Sequence, residues 1–468
     1  MLVFLSRLPI MIISLFLGFF VYRWAKEFYG KRAGILALIL YAFNTNIIAY
    51  SRYATTDIPV TAIVFISMYY LYKLITLPTK KKTVLLGILL GIALLTKLTA
   101  IILIPIYLCM YIFIYIHNKI VSNTTAKGNK IITPTLTLRF SAILTIILVG
   151  VAITWSVYFI QTMHMPTLVQ QGLIRETYLS NIYSKKALIN MSEVTLLKPV
   201  SQYLLGAFKN MTSQAGTGNS YLLGSYSTRG WWYYYPLVIL YKTQIPIFIL
   251  LFLLYLFRKD LVKLDIISNI YIWIFPLFLI IFAMASYRDI GVRHLLLIYP
   301  FILLYISNIA NYRFGKFDKT RLLKITLLVA LIIWYIMSCL TTYPFFLSYY
   351  NEIIGGKENG YKYLGGSNTD WGQDTKRLVS WVNDNKIQKI YFEIPLNKQQ
   401  IQYYLNPTFQ PWSSKNGHPK GYLAISAYNL TNSSYRNNTS INLDKYSWLK
   451  SVKPIYNIGG SIFIYDLK

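Results

Sequence analysis

The chain has 468 residues, of which 55% are hydrophobic and 16% aromatic, while only 13% are charged. A soluble domain carries about a quarter charged residues, so this composition excludes a water-soluble globular protein. The formal net charge is +30, yet Lys and Arg fall in short clusters between apolar blocks. That pattern speaks for membrane topology and against a nucleic-acid partner, which would need a basic stripe or domain.

Along the chain the apolar residues come in blocks of roughly 18 to 25, the length that crosses about 30 Å of hydrocarbon as a helix. The windows predict spans near 2–21, 33–50, 58–76, 84–116, 140–161, 236–257, 267–286, 294–311 and 325–345. The block 84–116 is too long for one crossing and is interrupted at Thr96-Lys97-Leu98-Thr99. It divides into helices 84–95 and 98–116 meeting at a polar turn, which makes ten helices.

Alternate loops carry the basic clusters: Arg23 to Arg32, Lys73 to Lys82, Lys119 to Arg139, Arg258 to Lys263 and Arg313 to Lys324. These loops are predicted to be cytoplasmic. The opposite, outer side then receives Met1, the loop around Asp57, the Lys97 turn, residues 162–235, the loop from Arg288 to Arg293, and everything after 345. Spans end near Pro344. Beyond them come strand-like runs at Lys389 to Ile394, Gly421 to Ser426 and Ser461 to Asp466, with a helix-like stretch from Gln373 to Asn385. The expected organisation is a multi-pass helical domain over 1–345 and a small external α/β domain over 346–468.

Acids at the outer span ends are few. Up to residue 345 the external carboxylates are Asp57, Glu176, Glu193 and Asp289, and Asp57 leads because it sits in a short hinge between two apolar spans. A helix cap is the structural alternative for it, since Asp57 precedes Ile58-Pro59. Arg7, Arg52, Lys97, Lys242, Arg288 and Arg293 lie at span ends on that same side. Any one of them is accounted for by snorkelling, but a set of cations on one face suits a lipid-linked phosphate. The segment Tyr221 to Pro236 adds Gly, hydroxyls and clustered aromatics, including Trp231 and Trp232. Aromatic belts are common at interfaces, and such rings also suit sugars. No GxxxxGK[ST] and no strand-borne GxGxxG is present, which disfavours a nucleotide-bound donor. Cys109 and Cys339 lie inside apolar blocks and the four histidines lack metal-ligand spacing, so neither a disulfide framework nor a metal is expected.

Several strings taken in order resemble the C-superfamily membrane glycosyltransferases that include the dolichyl-phosphate-mannose protein mannosyltransferases and the aminoarabinose transferases. They are Ser6-Arg-Leu-Pro, Arg23-Trp-Ala-Lys-Glu-Phe-Tyr-Gly, Ser51-Arg-Tyr-Ala-Thr-Thr-Asp, Gly91-Ile-Ala-Leu-Leu-Thr-Lys, Tyr221-Leu-Leu-Gly with Gly230-Trp-Trp, Tyr241-Lys-Thr-Gln-Ile-Pro, Gly291-Val-Arg-His, and Asn351-Glu and Gly355-Gly followed by Ser367-Asn-Thr-Asp-Trp-Gly-Gln-Asp. The resemblance implies inverting transfer of a sugar from a polyprenyl-phosphate carrier to an external protein, lipid or glycan, at the plasma membrane and without a required cofactor. It implies Asp57 as an assisting carboxylate and Arg7, Arg52, Lys97, Lys242 and Arg293 as donor-phosphate ligands. Tyr221, Trp231, Trp232, His294, Asp370 and Trp371 would contact sugar or acceptor. In this family the general base lies in a first external loop, which here would fall upstream of Met1. A start assigned too late is the favoured expectation, with a fragment or a chain that has lost catalysis as alternatives. A lipid-linked sugar transporter or flippase and a non-catalytic polyprenyl-phosphate scaffold also stay open. Against a transporter stands the single break at Lys97, since transporters repeat their broken helices in two halves.

Overall fold

The computed structural model describes residues 2–126, 138–177, 182–212, 220–227, 229–286, 289–312, 319–413, 416–432 and 446–467. In chain order the helices are α1 (Leu2–Tyr29), α2 (Lys31–Ala42), α3 (Thr45–Ser51), α4 (Asp57–Thr76), α5 (Lys80–Thr96), α6 (Leu103–Ala126), α7 (Phe140–Thr162), α8 (Thr167–Glu176), α9 (Ile182–Glu193) and α10 (Lys198–Thr212). After a small hairpin of β1 (Ser220–Leu222) and β2 (Ser225–Ser227) follow α11 (Tyr234–Lys242), α12 (Ile245–Leu256), α13 (Ile266–Met284), α14 (Tyr299–Ile306) and α15 (Lys319–Thr342). The chain is a multi-pass helical membrane protein: among the described residues six helices are long and apolar enough to cross a bilayer, or up to eight if each of two bent pairs is one span.

Two of the expected spans are bent within their apolar blocks. The block 33–50 turns by 61° between α2 and α3, and 236–257 turns by 101° between α11 and α12. At the first, Asn44 leaves the helical path and its side chain caps α3 by accepting from Ile47 N at 3.0 Å. At the second, Pro246 stands in the first turn of α12 and offers no N–H to continue α11. The block 294–311 is a series of 3₁₀ turns around the short α14. The break at Lys97 is present as expected, a 3₁₀ segment Leu98–Ile102 joining α5 to α6.

The two bends are packed on each other. Gln244 accepts from Thr45 N at 3.2 Å and donates to Tyr335 O at 2.9 Å, while Asn46 donates to Lys242 O at 2.7 Å. Backbone groups freed by one broken span are thus met by side chains of the other, as a membrane interior requires. Close packing elsewhere rests on small residues. A Cβ on Gly87 or Gly91 of α5 would meet Val149 at 2.6 Å or Ile153 at 2.8 Å, so α5 and α7 approach through a GxxxG face.

Residues 346–371 run over one end of the bundle. Phe346, Leu347, Tyr350, Ile354 and Leu364 belong to the buried core of the helices. Beyond them lie α16 (Gly356–Asn359), α17 (Thr375–Asp384), α18 (Lys398–Tyr404), α19 (Ala427–Asn432) and a five-stranded sheet of β3 (Ile390–Glu393), β4 (Phe409–Pro411), β5 (Gly421–Ser426), β6 (Tyr456–Ile458) and β7 (Ile462–Leu467). Its order is β4-β3-β5-β7-β6. β3 runs parallel to β4 and β5, and β7 antiparallel to β5 and β6. Alternation along β5 sends Ala424 to a core shared with Leu378 and Val382 of α17, and Leu423 and Ile425 to a core with Trp412 and Phe463. The small α/β unit expected after the spans is therefore formed.

Candidate functional site

Asp57 is the first residue of α4 and is fully buried. It is not the cap. Thr56 holds that position, and no side chain caps the helix. The carboxylate turns instead to two cations from distant hinges: Lys97 Nζ donates to Oδ1 at 2.7 Å, and Arg293 lies 3.3 Å from Oδ2. The second contact is an ion pair without hydrogen-bond geometry, so Oδ2 carries no hydrogen bond. A buried carboxylate needs such compensation, and two partly exposed cations supply it.

Arg293 is set by its loop. Gly291 has φ 109°, and any Cβ there would collide with Asn368. Asn368 accepts from Val292 N at 3.0 Å and donates to the Tyr234 hydroxyl at 3.0 Å, while the Ser367 hydroxyl bonds Ile290 O. The Arg293 guanidinium sits 5.0 Å over the ring of Trp371. That ring in turn meets Tyr50 at 5.6 Å and Tyr53 at 5.4 Å.

On Trp371 opens a cavity of about 890 Å³ between the helix ends and the C-terminal region. Arg7, Arg52 and Tyr53 line it from the helices, and Phe345, Lys357, Lys376, Arg377, Trp381, Tyr404 and Tyr456 are among its other walls. Arg52 donates to Pro344 O at 2.7 Å and lies 5.5 Å over Phe346, while Arg7 lies 5.7 Å over Tyr53. These contacts leave further guanidinium N–H groups of each fork for an anion.

The cations proposed from sequence thus separate into three places. Arg7 and Arg52 share the cavity, Lys97 and Arg293 hold Asp57 one ring removed from it, and Lys242 lies inside the bundle. Lys242 is 1% exposed, donates to Leu347 O at 2.9 Å and Asn368 O at 2.8 Å, and stands 4.2 Å from the Tyr350 ring. Its contacts fasten the segment after the last span to the bend at 243. Arg288 lies outside the described residues.

Of the remaining residues, Trp371 lines the cavity and the other five do not. Tyr221 donates to Lys362 O at 2.9 Å, the Trp231 N–H donates to Asp289 at 3.0 Å, Trp232 is exposed, and His294 is half-buried in a 3₁₀ turn. Asp370 is buried under the Trp371 turn, where Oδ1 accepts from Gly372 N at 2.7 Å. Burial pushes its carboxyl up to about 7, against the pull of that hydrogen bond. Burial likewise raises Asp289 to about 6. Sequence reasoning missed Lys357, Lys376, Arg377, Trp381, Tyr404 and Tyr456. Only the neighbouring string Ser367 to Asp374 pointed toward them.

Residues 4–155 match the family model described as dolichyl-phosphate-mannose-protein mannosyltransferase. Over that stretch the resemblance is borne out. That stretch contains Arg7, Arg52, Asp57 and Lys97. Among solved structures, ArnT from Cupriavidus metallidurans bound to undecaprenyl phosphate is 13% identical with a TM-score of 0.41, over 98% of this chain and 83% of that one. The apo state of the same protein is 10% identical with a TM-score of 0.38, over the same shares of the two chains. Comparison with curated proteins finds no match.

Proposed function

We propose that the chain transfers a sugar from a polyprenyl-phosphate carrier to an acceptor outside the cell. The observation that carries this reading is the meeting of Arg7 and Arg52 in one cavity next to the Asp57 ion-pair centre. Arg7 sits on α1, whose Phe4, Leu5, Ile12 and Leu15 are exposed toward lipid. A long polyprenyl tail along that apolar surface brings its phosphate to guanidinium forks at the helix end, the geometry such forks favour. We place the residues beyond the last span on the outer face, where those after 371 form the unit that selects the acceptor.

In the reaction, an acceptor hydroxyl oxygen bonds to the anomeric carbon as the bond from that carbon to the phosphate oxygen breaks. The electron pair leaves with the polyprenyl phosphate and the hydroxyl proton passes to a general base. Inversion follows from a single displacement. Arg7 and Arg52 bind the phosphate and stabilise the charge it gains on leaving. Asp57 assists electrostatically by holding Lys97 and Arg293 beside Trp371.

The test is binding of undecaprenyl phosphate to the purified protein, together with transfer from a polyprenyl-phosphate sugar. Arg52→Ala and Arg7→Ala should each weaken carrier binding by about tenfold or more, since a charge-assisted contact contributes roughly 1.5 to 3 kcal/mol. Unchanged affinity in both variants refutes the assignment. Orientation is checked separately, in a chain whose Cys109 and Cys339 are replaced: a thiol at Lys81 should be labelled from the cytoplasm and one at Asn383 from outside.

A further inference from the structure

The cavity has two chemically different halves. On the helix side Arg7 and Arg52 line it with no carboxylate of their own helices beside them. On the C-terminal side Lys357, Lys376 and Arg377 are balanced by Glu358, Asp374 and Asp384, three cations against three acids along the cavity and its annex. Arg377 is bound by Asp374 at 2.6 Å and lies 5.0 Å over Phe345. Lys357 lies 4.7 Å over the same ring, and Lys376 5.7 Å over Tyr404. This half therefore offers no net charge to a ligand.

What it does offer is rings and amides. Trp381 and Tyr456 stack at 5.6 Å with 24° between planes, Tyr404 adds a third ring, and Gln400 and Asn457 border the same space. Sugars present C–H faces to aromatic rings and hydroxyls to amide and carboxylate groups, and this wall pairs those two features. We infer that Trp381, Tyr404 and Tyr456, with Gln400, Asn457 and Asp384, form a subsite for a neutral saccharide of the acceptor. This rests on the reading of Arg7 and Arg52 as the carrier's phosphate site, and it narrows the acceptor to a glycan.

A peptide acceptor fits less well. The strand bordering the cavity, β6, is the edge of its sheet but only three residues long, and it ends in Gly459 and Gly460, both at positive φ. Gly459 is held there because any Cβ would strike Phe345. So short an edge gives an extended peptide little backbone to pair with. An acceptor phosphate fits no better, because the cations of this half are already balanced.

The experiment uses the full chain in lipid nanodiscs, with maltotriose, chitotriose and mannotriose as saccharide probes and undecaprenyl phosphate as carrier probe. Saturation-transfer NMR should show contact with at least one trisaccharide. Trp381→Ala and Tyr456→Ala should weaken it by about tenfold, while Trp381→Phe keeps part of it. Carrier binding should be unchanged in all three variants, which shows that they are folded, and weakened by about tenfold or more in Arg52→Ala. Wild-type binding of carrier without any saccharide contact overturns the subsite and leaves the carrier reading intact. Failure of the carrier to bind overturns the carrier reading on its own. A Ser/Thr-rich peptide that binds in competition with carrier-side residues, and is weakened by Trp381→Ala where saccharides are not, makes the subsite a peptide site and refutes the inference.

Discussion

The two ends of the helical bundle carry similar charges in different surroundings. At one end Glu27 meets Lys73 at 2.7 Å, Arg23 at 3.6 Å and the Tyr69 hydroxyl at 2.6 Å. At the other, Asp57 meets Lys97 at 2.7 Å and Arg293 at 3.3 Å. Each is one carboxylate with two cations. Glu27 keeps 28% of its side chain exposed and Asp57 none, so water reaches the anion of the first cluster and not that of the second. The second end is covered by the C-terminal region and opens into a cavity. Identical charge counts thus give a surface clip at one end and a buried, coupled centre at the other.

The largest effect expected from that difference is at Asp57. Asp57→Asn keeps the shape and removes the buried anion, leaving Lys97 and Arg293, 17% and 28% exposed, without their partner. Breaking a fully buried pair costs about 3–5 kcal/mol, and the partial exposure of both cations makes that the upper bound here. Thermal unfolding in detergent should register a loss of that order, with transfer abolished in the remaining folded fraction. A near-native Tm would mean that water reaches Asp57 as freely as Glu27. Because the carboxylate makes no cap, Asn has no capping role with which to rescue the variant.

Next in size is a pH effect at Asp370. Its ordinary value of 3.8 is raised to about 7 by burial, so the folded state binds a proton more tightly than the unfolded state between those values. Stability is then greatest in the acid part of that window and falls as pH rises through about 7, by up to a few kcal/mol. Asp370→Asn should flatten the unfolding profile between pH 4 and 8. An unchanged slope would assign the pH dependence to other groups.

Gln244 offers a smaller, structural test of how the Asp57 end is built. It joins the bends of two spans through Thr45 N and Phe43 O, and Gln244→Leu leaves Thr45 N unsatisfied, while Tyr335 O keeps its bond within α15. About 1–3 kcal/mol per buried orphan is the expected scale. Because α3 leads directly to Arg52, carrier affinity should fall with stability. A loss of stability with unchanged affinity would show that the bend does not position Arg52.

These contrasts also show where the sequence is legible. Long apolar blocks and alternating basic loops mark the spans, and period-two runs mark β3, β5 and β7. The hinges at Asp57, Lys97 and Arg293 stand out because charge beside apolar blocks is rare. Bends within apolar blocks do not show in hydropathy, since Asn44 and Gln244 are single polar residues whose partners lie on other helices. Nor does Lys242 differ in sequence from Lys97. Only packing tells that Leu347 and Asn368 carbonyls enclose the first while Asp57 receives the second. The cavity's C-terminal wall was hidden for a related reason. Trp381, Tyr404 and Tyr456 come from two helices and an edge strand, and no spacing along the chain relates them to Arg52.

The smallest expected effect is at Glu27, and it is the control that gives the Asp57 result its meaning. Glu27→Gln removes the anion from Lys73 and Arg23, but all three side chains are partly exposed and water can take over their solvation. Exposed pairs contribute about 0–1 kcal/mol, and salt weakens them further. The amide oxygen still accepts from the Tyr69 hydroxyl, so that hydrogen bond need not be lost. Tm should therefore move little, and the small difference from wild type should shrink as salt is raised. Carrier binding and transfer should not change, because this cluster lies at the end of the bundle away from Arg7 and Arg52. If Glu27→Gln destabilised the protein as much as Asp57→Asn, burial would not be what separates the two clusters, and the case for a special centre at Asp57 would have to rest on its place beside Trp371 alone.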